Sequence, residues 1–427
     1  KDHRYAFFPS VSAAWRISEE NFWQPLKGWW NDMKIRGSYG SLGNQVVDDL
    51  GNFPYLATYG TNSSYNYLIN GSKPVIVKAP GLVAPDFTWE TVTQMDFGFD
   101  ASFLNNRLTG TFDWYRRNTK DMLVAGATLP ATLGASVPKS NSADMKTIGW
   151  ELSLGWNDRL ENGFSYWVKG VLSDYQATIT KYAGNDAGFY SQSDGDGKYY
   201  VGQKIGEIWG YHSNGLFQSD DEAATIDQSE LYAGKWGAGD VKYEDLDNDG
   251  KITKGEETIY NPGDKSIIGN KTPRYQFGIT VGFDYKNFDF EMFWQGTGKR
   301  DYMLSGAQFW GFTSQWDVPY TPALDYWTET NTDAYFPRPG WQNGGNRVTS
   351  DRYLQSAAYG RLKNLTVGYT IPKNLTTKWG ISRLRLYVTG ENLLTITPLN
   401  DAFDPETLGG MTYPINRKVA IGLNLTL

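Results

Sequence analysis

The chain contains 427 residues with a formal net charge of −7 and no cysteine. The lack of cysteine excludes a disulfide framework and a thiolate metal site, and the negative charge argues against nucleic acid as a partner. Aromatic residues make up 15% of the chain, although the mean hydropathy is −0.51. That combination is typical of a membrane β-barrel with aromatic girdles, since no apolar run approaches the roughly 20 residues that a spanning helix needs.

In chain order, alternating apolar and polar residues predict about eleven β-strands. The clearest alternation runs from Tyr275 to Gln295, where large apolar side chains oppose small and polar ones on both sides of a turn at Lys286 and Asn287. One apolar face and one wet face predict an all-β fold, a transmembrane antiparallel β-barrel. The predicted strands lie near residues 5–17, 33–43, 92–104, 107–119, 145–157, 163–175, 274–285, 288–298, 353–371, 382–396 and 417–427.

The predicted connections alternate between short and long, as in outer-membrane barrels with short periplasmic turns and long extracellular loops. The short ones are 18–32, 105–106, 158–162, 286–287 and 372–381, and the long ones are 44–91, 120–144, 176–273, 299–352 and 397–416. One strand is irregular, because Arg361 and Lys363 share the parity of Leu365 and Val367. This irregularity predicts a bulge near Leu362 or a rise of the strand above the membrane.

The strand count predicts a partial barrel. Eleven is odd, whereas bacterial single-chain barrels have even counts. The first residues also contain no signal peptide, although an outer-membrane barrel must be exported. We therefore expect residues 1–427 to be part of a longer protein whose N-terminal portion supplies the missing strands.

Short motifs are spread along nearly the whole chain. They include FPSVSAAWRISEE at 8–20, IGEIWGY at 205–211 and DPE at 404–406. Others lie at 34–45, 149–152, 215–219, 239–243, 268–270, 362–369 and 390–394. Together, and in this order, these segments resemble the C-terminal part of the SusC/RagA family of TonB-dependent outer-membrane transporters.

The resemblance implies that this chain forms the C-terminal half of a 22-stranded barrel in the bacterial outer membrane. It implies an N-terminal plug, absent from these residues, on which the TonB–ExbB–ExbD complex pulls. It also implies a SusD-like surface lipoprotein as a lid, and uptake of oligosaccharides or peptides. One departure is the last residue, Leu427, where many outer-membrane barrels end in an aromatic residue.

An Asp-rich segment within the predicted 176–273 loop matches the calcium-loop pattern D-x-[DN]-x-[DN]-G-x5-E in full. Carboxylates of Asp245, Asp247 and Asp249 at alternate positions would converge on a hard cation. The Lys251 carbonyl and the Glu256 carboxylate would complete the shell. We therefore predict a structural Ca²⁺ site here and no required cofactor. The alternative is an Asp/Asn/Gly turn whose carboxylates accept hydrogen bonds from backbone amides.

Aromatic residues of the long loops are the candidates for contact with a substrate or lid, because aromatic faces suit sugar rings and peptide side chains. We single out Trp209, Tyr211, Phe309, Trp310, Trp316 and Trp341. The alternative for each is packing of the loops onto one another. No catalytic residue and no enzyme activity are predicted, because His212 would need a partner that sequence spacing cannot reveal, and no P-loop or nucleophile-elbow motif appears.

Three functions remain open from the sequence. The first, which we favour, is the barrel part of an active nutrient importer. The second is a passive porin or structural barrel, which would lack a plug upstream of Lys1. The third is a secreted, aromatic-rich carbohydrate-binding β-protein, which would be soluble without detergent.

Overall fold

A single antiparallel sheet of eleven strands dominates the structure, a computed structural model. It describes residues 5–44, 55–62, 68–69, 71–73, 75–84, 87–126, 129–135, 137–190, 199–232, 235–340, 343–408 and 413–427. The sheet strands are β1 (Ser10–Trp15), β2 (Trp30–Asn44), β3 (Glu90–Phe103), β4 (Leu108–Ala125), β5 (Lys139–Arg159), β6 (Ser165–Tyr182), β7 (Arg274–Tyr285), β8 (Phe288–Lys299), β9 (Tyr359–Thr370), β10 (Arg383–Ile396) and β11 (Lys418–Thr426). Among the described residues, no helix has the length and apolarity to cross a membrane.

Each strand pairs with its neighbours in chain order, so the sheet is an up-and-down barrel wall. The hairpin predicted at the turn Lys286-Asn287 is present, and Phe283 of β7 faces Phe290 of β8 across it. Within this sheet β1 pairs only with β2, and β11 pairs only with β10. The wall is therefore open, as expected for part of a barrel, and the prediction of eleven transmembrane strands is confirmed.

The two faces of the wall differ as the alternation predicts. On β3, Met95 and Phe97 are exposed on the apolar face. On the opposite face Arg36 of β2 donates to Asp113 of β4 at 2.7 Å, across Gly98 of β3. Both side chains are partly exposed, as a polar, water-filled lumen allows. The carboxylates therefore lie on the lumen side, and the aromatic residues lie toward lipid.

Strand β9 contains the predicted bulge. Its pairing with β8 shifts between Phe293 and Trp294, and its pairing with β10 shifts between Leu362 and Asn364. The extra residue reverses the parity of the strand. Arg361 can therefore point into the lumen, although it shares sequence parity with outward-facing Leu365.

Some predicted boundaries are wrong. The first strand begins at Ser10, and the strand predicted at 353–371 consists of Leu354–Ser356 and β9. The break lies at residues 357–358, where the Ala357 amide donates to the carbonyl of Arg300 instead. The 120–144 loop shrinks to 126–138, because β4 and β5 stay paired out to Ala125 and Lys139. That loop is then no longer than the connection 16–29, so the sorting of connections by length is not strict.

The remaining long connections carry their own small sheets and helical turns. Four strand pairs lie there: Gly60–Asn62 with Ile76–Lys78, Glu207–Tyr211 with Lys265–Asn270, Ser213–Leu216 with Val241–Tyr243, and Asp301–Met303 with Leu354–Ser356. Short α-helices are Asp220–Ala223, Ser229–Tyr232, Ala307–Trp310 and Lys373–Thr376. Short 3-10 helices are Ile17–Glu19, Asn21–Leu26, Ala131–Leu133, Thr321–Leu324, Gly344–Arg347 and Thr377–Trp379.

The main hydrophobic core lies in these connections rather than in the sheet. We call it the loop core: Tyr211, Leu216, Tyr232, Val241, Tyr243, Ile252, Leu304, Phe309, Trp310, Phe336, Tyr353, Ala357, Leu399 and Leu408. Its members come from three separate connections, 183–273, 300–358 and 397–417. These three connections therefore form one packed body, which we call the loop body.

Candidate functional site

The loop hairpin formed by Glu207–Tyr211 and Lys265–Asn270 borders a cavity of about 390 Å³. The hairpin is tied to the wall because the Ile205 amide donates to the carbonyl of Ala177 of β6, and its open end is closed by the Lys271 amide, which donates to the carbonyl of Gly206. The cavity is lined by Tyr190, Glu207, Ile208, Trp209, Glu257, Lys265, Lys271, Tyr302, Met303 and Thr349. Its lining thus combines aromatic faces with two carboxylates and two ammonium groups.

Trp209 lies in this cavity as one half of an aromatic stack. Its ring is 4.1 Å from that of Tyr190, with 10° between the planes. Burial raises the pKa of Tyr190 above its usual value, and the nearby Glu257 charge adds to the rise. The Tyr190 phenol therefore stays neutral. Because Tyr190 is buried behind the stack, the partly exposed Trp209 is the ring that presents an aromatic face to the cavity.

The charged groups beside the stack include one ion pair and one carboxylate that accepts a hydrogen bond from a tyrosine. The Lys265 ammonium is 3.0 Å from Glu257 and lies 5.4 Å from the centre of the Tyr211 ring. The Glu207 carboxylate accepts a hydrogen bond from the Tyr200 hydroxyl at 2.5 Å. Such a lining can bind hydroxyl, amide or charged groups of a polar ligand while an aromatic face covers its apolar part.

Three of the predicted contact residues are core residues instead. Tyr211, Phe309 and Trp310 are 2%, 1% and 8% exposed and belong to the loop core. The interpretation that they face a substrate or lid is corrected: their rings pack the three connections together, with Trp310 and Tyr353 edge to face at 4.6 Å. Large rings are buried because each removes much apolar surface from water.

Trp316 behaves differently, since it is 83% exposed. Val318, Tyr320 and Leu324 in the same segment are also exposed, which leaves an apolar strip on the surface of the 300–358 connection. Exposed apolar patches mark surfaces for a partner or a ligand. The remaining candidate, Trp341, lies outside the described residues.

The Asp-rich segment forms a carboxylate cluster of a different composition from the one predicted. Asp245, Asp247 and Asp264 each have a carboxylate oxygen within 4.8 Å of those of the other two. Among the described residues, this cluster does not include Asp249 or Glu256. Asp264 is fully buried. Its two oxygens accept hydrogen bonds from the amides of Leu246 and Thr253, both at 2.7 Å.

The segment also has the features of a carboxylate-capped turn. Asp245 accepts hydrogen bonds from the amides of Asp249 and Gly250, and the Lys251 amide donates to Asp249 at 2.8 Å. Desolvation raises the pKa of the Asp247 carboxyl, and the charge of Asp249 adds to the rise. Oxygen ligands of this kind suit Ca²⁺, so the calcium site stays a prediction, with Asp264 as an additional candidate ligand.

Sequence analysis missed the charged lining of the cavity. Glu207 lies at least fifty residues before Glu257, Lys265 and Lys271 in the chain, and the pairing of Glu207 with Asn270 brings the two segments together. The only local signal is the β-pattern of the segments 205–211 and 265–270. That pattern predicts strands without indicating that they pair.

Comparison with known proteins places these features in a family. Residues 1–393 match the model described as "TonB dependent receptor-like, beta-barrel". TonB-dependent receptor P3 of Formosa agariphila is 30% identical over 465 residues, covering 100% of this chain and 42% of that protein. TonB-dependent receptor SusC of Bacteroides thetaiotaomicron is 27% identical over 432 residues, covering 100% of this chain and 40% of SusC.

The fold also matches a solved structure. The RagAB peptide transporter superposes with a TM-score of 0.76 at 22% sequence identity, covering 100% of this chain and 44% of the matched chain. At that identity the match establishes the fold of the wall and its loops. The chain spans about two-fifths of the length of the curated relatives it matches.

Proposed function

We propose that this chain, which belongs to the SusC/RagA type of the TonB-dependent receptor family in the bacterial outer membrane, is part of a nutrient importer. It supplies about half of the barrel wall, together with the packed loops at the wall's long-connection end. The observation that carries this proposal is the open eleven-stranded wall with a polar inner face and a packed loop body above it.

The substrates are oligosaccharides or peptides. The cavity beside the Trp209–Tyr190 stack supports a polar ligand of this kind, since it combines aromatic faces with paired charges. The name of one similar structure, a peptide transporter, agrees with the peptide class. The oligosaccharide class rests on the family resemblance of the sequence.

The energy for transport and the lid over the loops are supplied by other parts of the assembly. An N-terminal plug with a TonB-contacting segment would close the barrel and couple it to the TonB–ExbB–ExbD complex. A SusD-like surface lipoprotein would cover the loops, and the exposed strip around Trp316 is a suitable contact for it. Burying such a strip against a partner removes apolar area from water.

The test is uptake by cells that carry the complete transporter or lack its gene. Labelled oligosaccharide and peptide mixtures are supplied to both strains, each with and without a functional TonB. Uptake that needs both the transporter and TonB is the expected result. Uptake that needs the transporter but not TonB would instead indicate a passive porin, and a protein that stays soluble without detergent would contradict both functions.

A further inference from the structure

Three polar side chains in the loops are joined in one hydrogen-bonded line. The Nδ1 atom of His212 is 2.9 Å from Oδ2 of Asp351, and its Nε2 atom is 2.7 Å from Oγ of Ser266. A serine hydroxyl on one imidazole nitrogen and a carboxylate on the other is the arrangement that activates serine nucleophiles.

Backbone hydrogen bonds hold Asp351 against Tyr211 and Ser213, the two neighbours of His212 in the chain. The Tyr211 amide donates to Thr349 at 3.0 Å, and the Asp351 amide donates back to Tyr211 at 3.1 Å. A second oxygen of Asp351 accepts from the Ser213 amide at 2.9 Å. The position of Asp351 is therefore set by the backbone and not by the imidazole. Its carboxylate favours the Nδ1–H tautomer of His212, which leaves Nε2 free to accept a proton.

Gly210 makes this approach possible. It lies opposite Ser266 in the loop hairpin. A Cβ at Gly210 would be 2.7 Å from the carbonyl oxygen of Thr349, closer than real side chains approach. Without a side chain here, the segment that carries Asp351 can cross the hairpin on the same face as the Ser266 hydroxyl.

The line is open to solvent. The side chains of His212 and Asp351 are 34% and 39% exposed, and Ser266 is partly exposed. A purely structural buried network would exclude water, whereas a reacting serine needs access for its substrate and for the water that releases the product.

We propose that Ser266 is a nucleophile, activated by His212, that takes the acyl group from carboxylic esters. The Ser266 oxygen forms a bond to the acyl carbon, its proton passes to Nε2 of His212, and the alcohol leaves with that proton. Water then attacks the acyl-serine and gives a proton to His212, the carboxylic acid departs, and Ser266 regains its hydrogen. Asp351 is a positioning residue, because it acts through the imidazole.

The first test uses a fluorophosphonate probe on the complete transporter purified in detergent. The Ser266 oxygen displaces fluoride from phosphorus, and His212 takes the hydroxyl proton, which leaves a stable phosphonyl ester. We expect labelling of the native protein that Ser266→Ala abolishes and His212→Ala slows about 10²–10⁴-fold. Ser356→Ala, which removes an exposed serine in the same loops, should label like the wild type.

Two further variants separate reaction from structure. Asp351→Glu keeps a carboxylate for the imidazole and should label faster than Asp351→Asn, whereas a variant that merely loosens the loops would slow both equally. Ser266→Cys should react with iodoacetamide at least about tenfold faster than Ser356→Cys, because only the former thiol has a base beside it. Each variant is accepted only if its unheated migration on SDS gels matches the wild type.

Labelling of the native protein no greater than that of Ser266→Ala would overturn the proposal, and so would equal alkylation of the two cysteine variants. The hydrogen-bonded line would then serve only to tie the three loop segments together. Neither result bears on transport, which is measured separately by TonB-dependent uptake.

Discussion

Replacing Asp240 by alanine should open the loop body without unfolding the wall. Asp240 is fully buried. Its carboxylate accepts hydrogen bonds from Arg338 at 2.8 Å, from the side chains of Asn343 and Asn346 at 3.1 and 2.9 Å, and from the Gly237 amide at 2.9 Å. These donors come from both the 183–273 and the 300–358 connections, so one carboxylate joins the two.

The size of the destabilisation depends on which of these donors can bond to water once the carboxylate is removed. The Arg338 side chain is 40% exposed, so water can replace its carboxylate and its contribution is discounted. Asn346 is buried, and the Gly237 bond is also buried. Each of these two unpaired donors costs about 1–3 kcal/mol. We expect a loss of about 3 kcal/mol in the free energy of opening the loop body, or about 10²-fold in the open population.

Native-state proteolysis of the complete transporter in outer membranes measures this population, since cleavage tracks the open form when reclosing is fast. Asp240→Ala should be cleaved within the loops about 10²-fold faster than the wild type. Asp221→Ala is the matched control, because Asp221 is exposed in the nearby helix Asp220–Ala223. A change below about threefold, which is under about 0.7 kcal/mol, would refute the reasoning.

Three further predictions concern the wall, a loop anchor and the cation. Gly98→Ala should lower the melting temperature of the complete transporter, because its Cβ would lie 2.8 Å from the backbone carbonyl oxygen of Phe112. Gly37→Ala, with nothing nearer than 3.5 Å, should not lower it, and equal melting of the two variants would contradict this. Arg361→Ala should speed cleavage of the 397–417 connection by protease, because the buried guanidinium donates to Asp404 at 2.6 Å and breaking a buried pair costs about 3–5 kcal/mol. An unchanged cleavage rate in that connection would contradict this. Ca²⁺ should raise the melting temperature of the complete transporter, less so in Asp247→Asn, and no heat on titration with Ca²⁺ would contradict this. The effect should also weaken at acid pH, because the raised pKa of Asp247 lets protons compete with Ca²⁺ at a higher pH than for an ordinary carboxyl group.

The strands of the wall could be predicted from the sequence because the residues of each strand alternate according to the two environments that the strand faces. A lipid face and a wet face impose period two on the residues between Tyr275 and Gln295 without reference to distant residues. The bulge near Leu362 was predictable for the same reason, since a charged residue cannot share a lipid-facing parity without a break in register. Strand ends were less predictable, because β4 and β5 continue pairing beyond their alternating stretch.

The loops were not predictable in the same way. Whether an aromatic ring lies in a core or on a surface depends on which connections meet there. Tyr211, Phe309 and Trp310 look like Trp316 in the sequence, yet the first three are buried by contacts across three connections. Likewise Asp264 joins Asp245 through backbone hydrogen bonds that close the segment, and the spacing of the calcium pattern does not include it.

The composition of the loop core fixes an order of assembly. Its rings come from 183–273, 300–358 and 397–417, and strands β7 to β10 cross the wall between those connections. Tyr353 cannot join Tyr243 in the loop core until the intervening strands have crossed and their connections have reached the same side. Contacts of such long sequence separation form late in folding. The loop body must therefore close last, and until it does an aromatic surface faces water at the mouth of a wall that is already built.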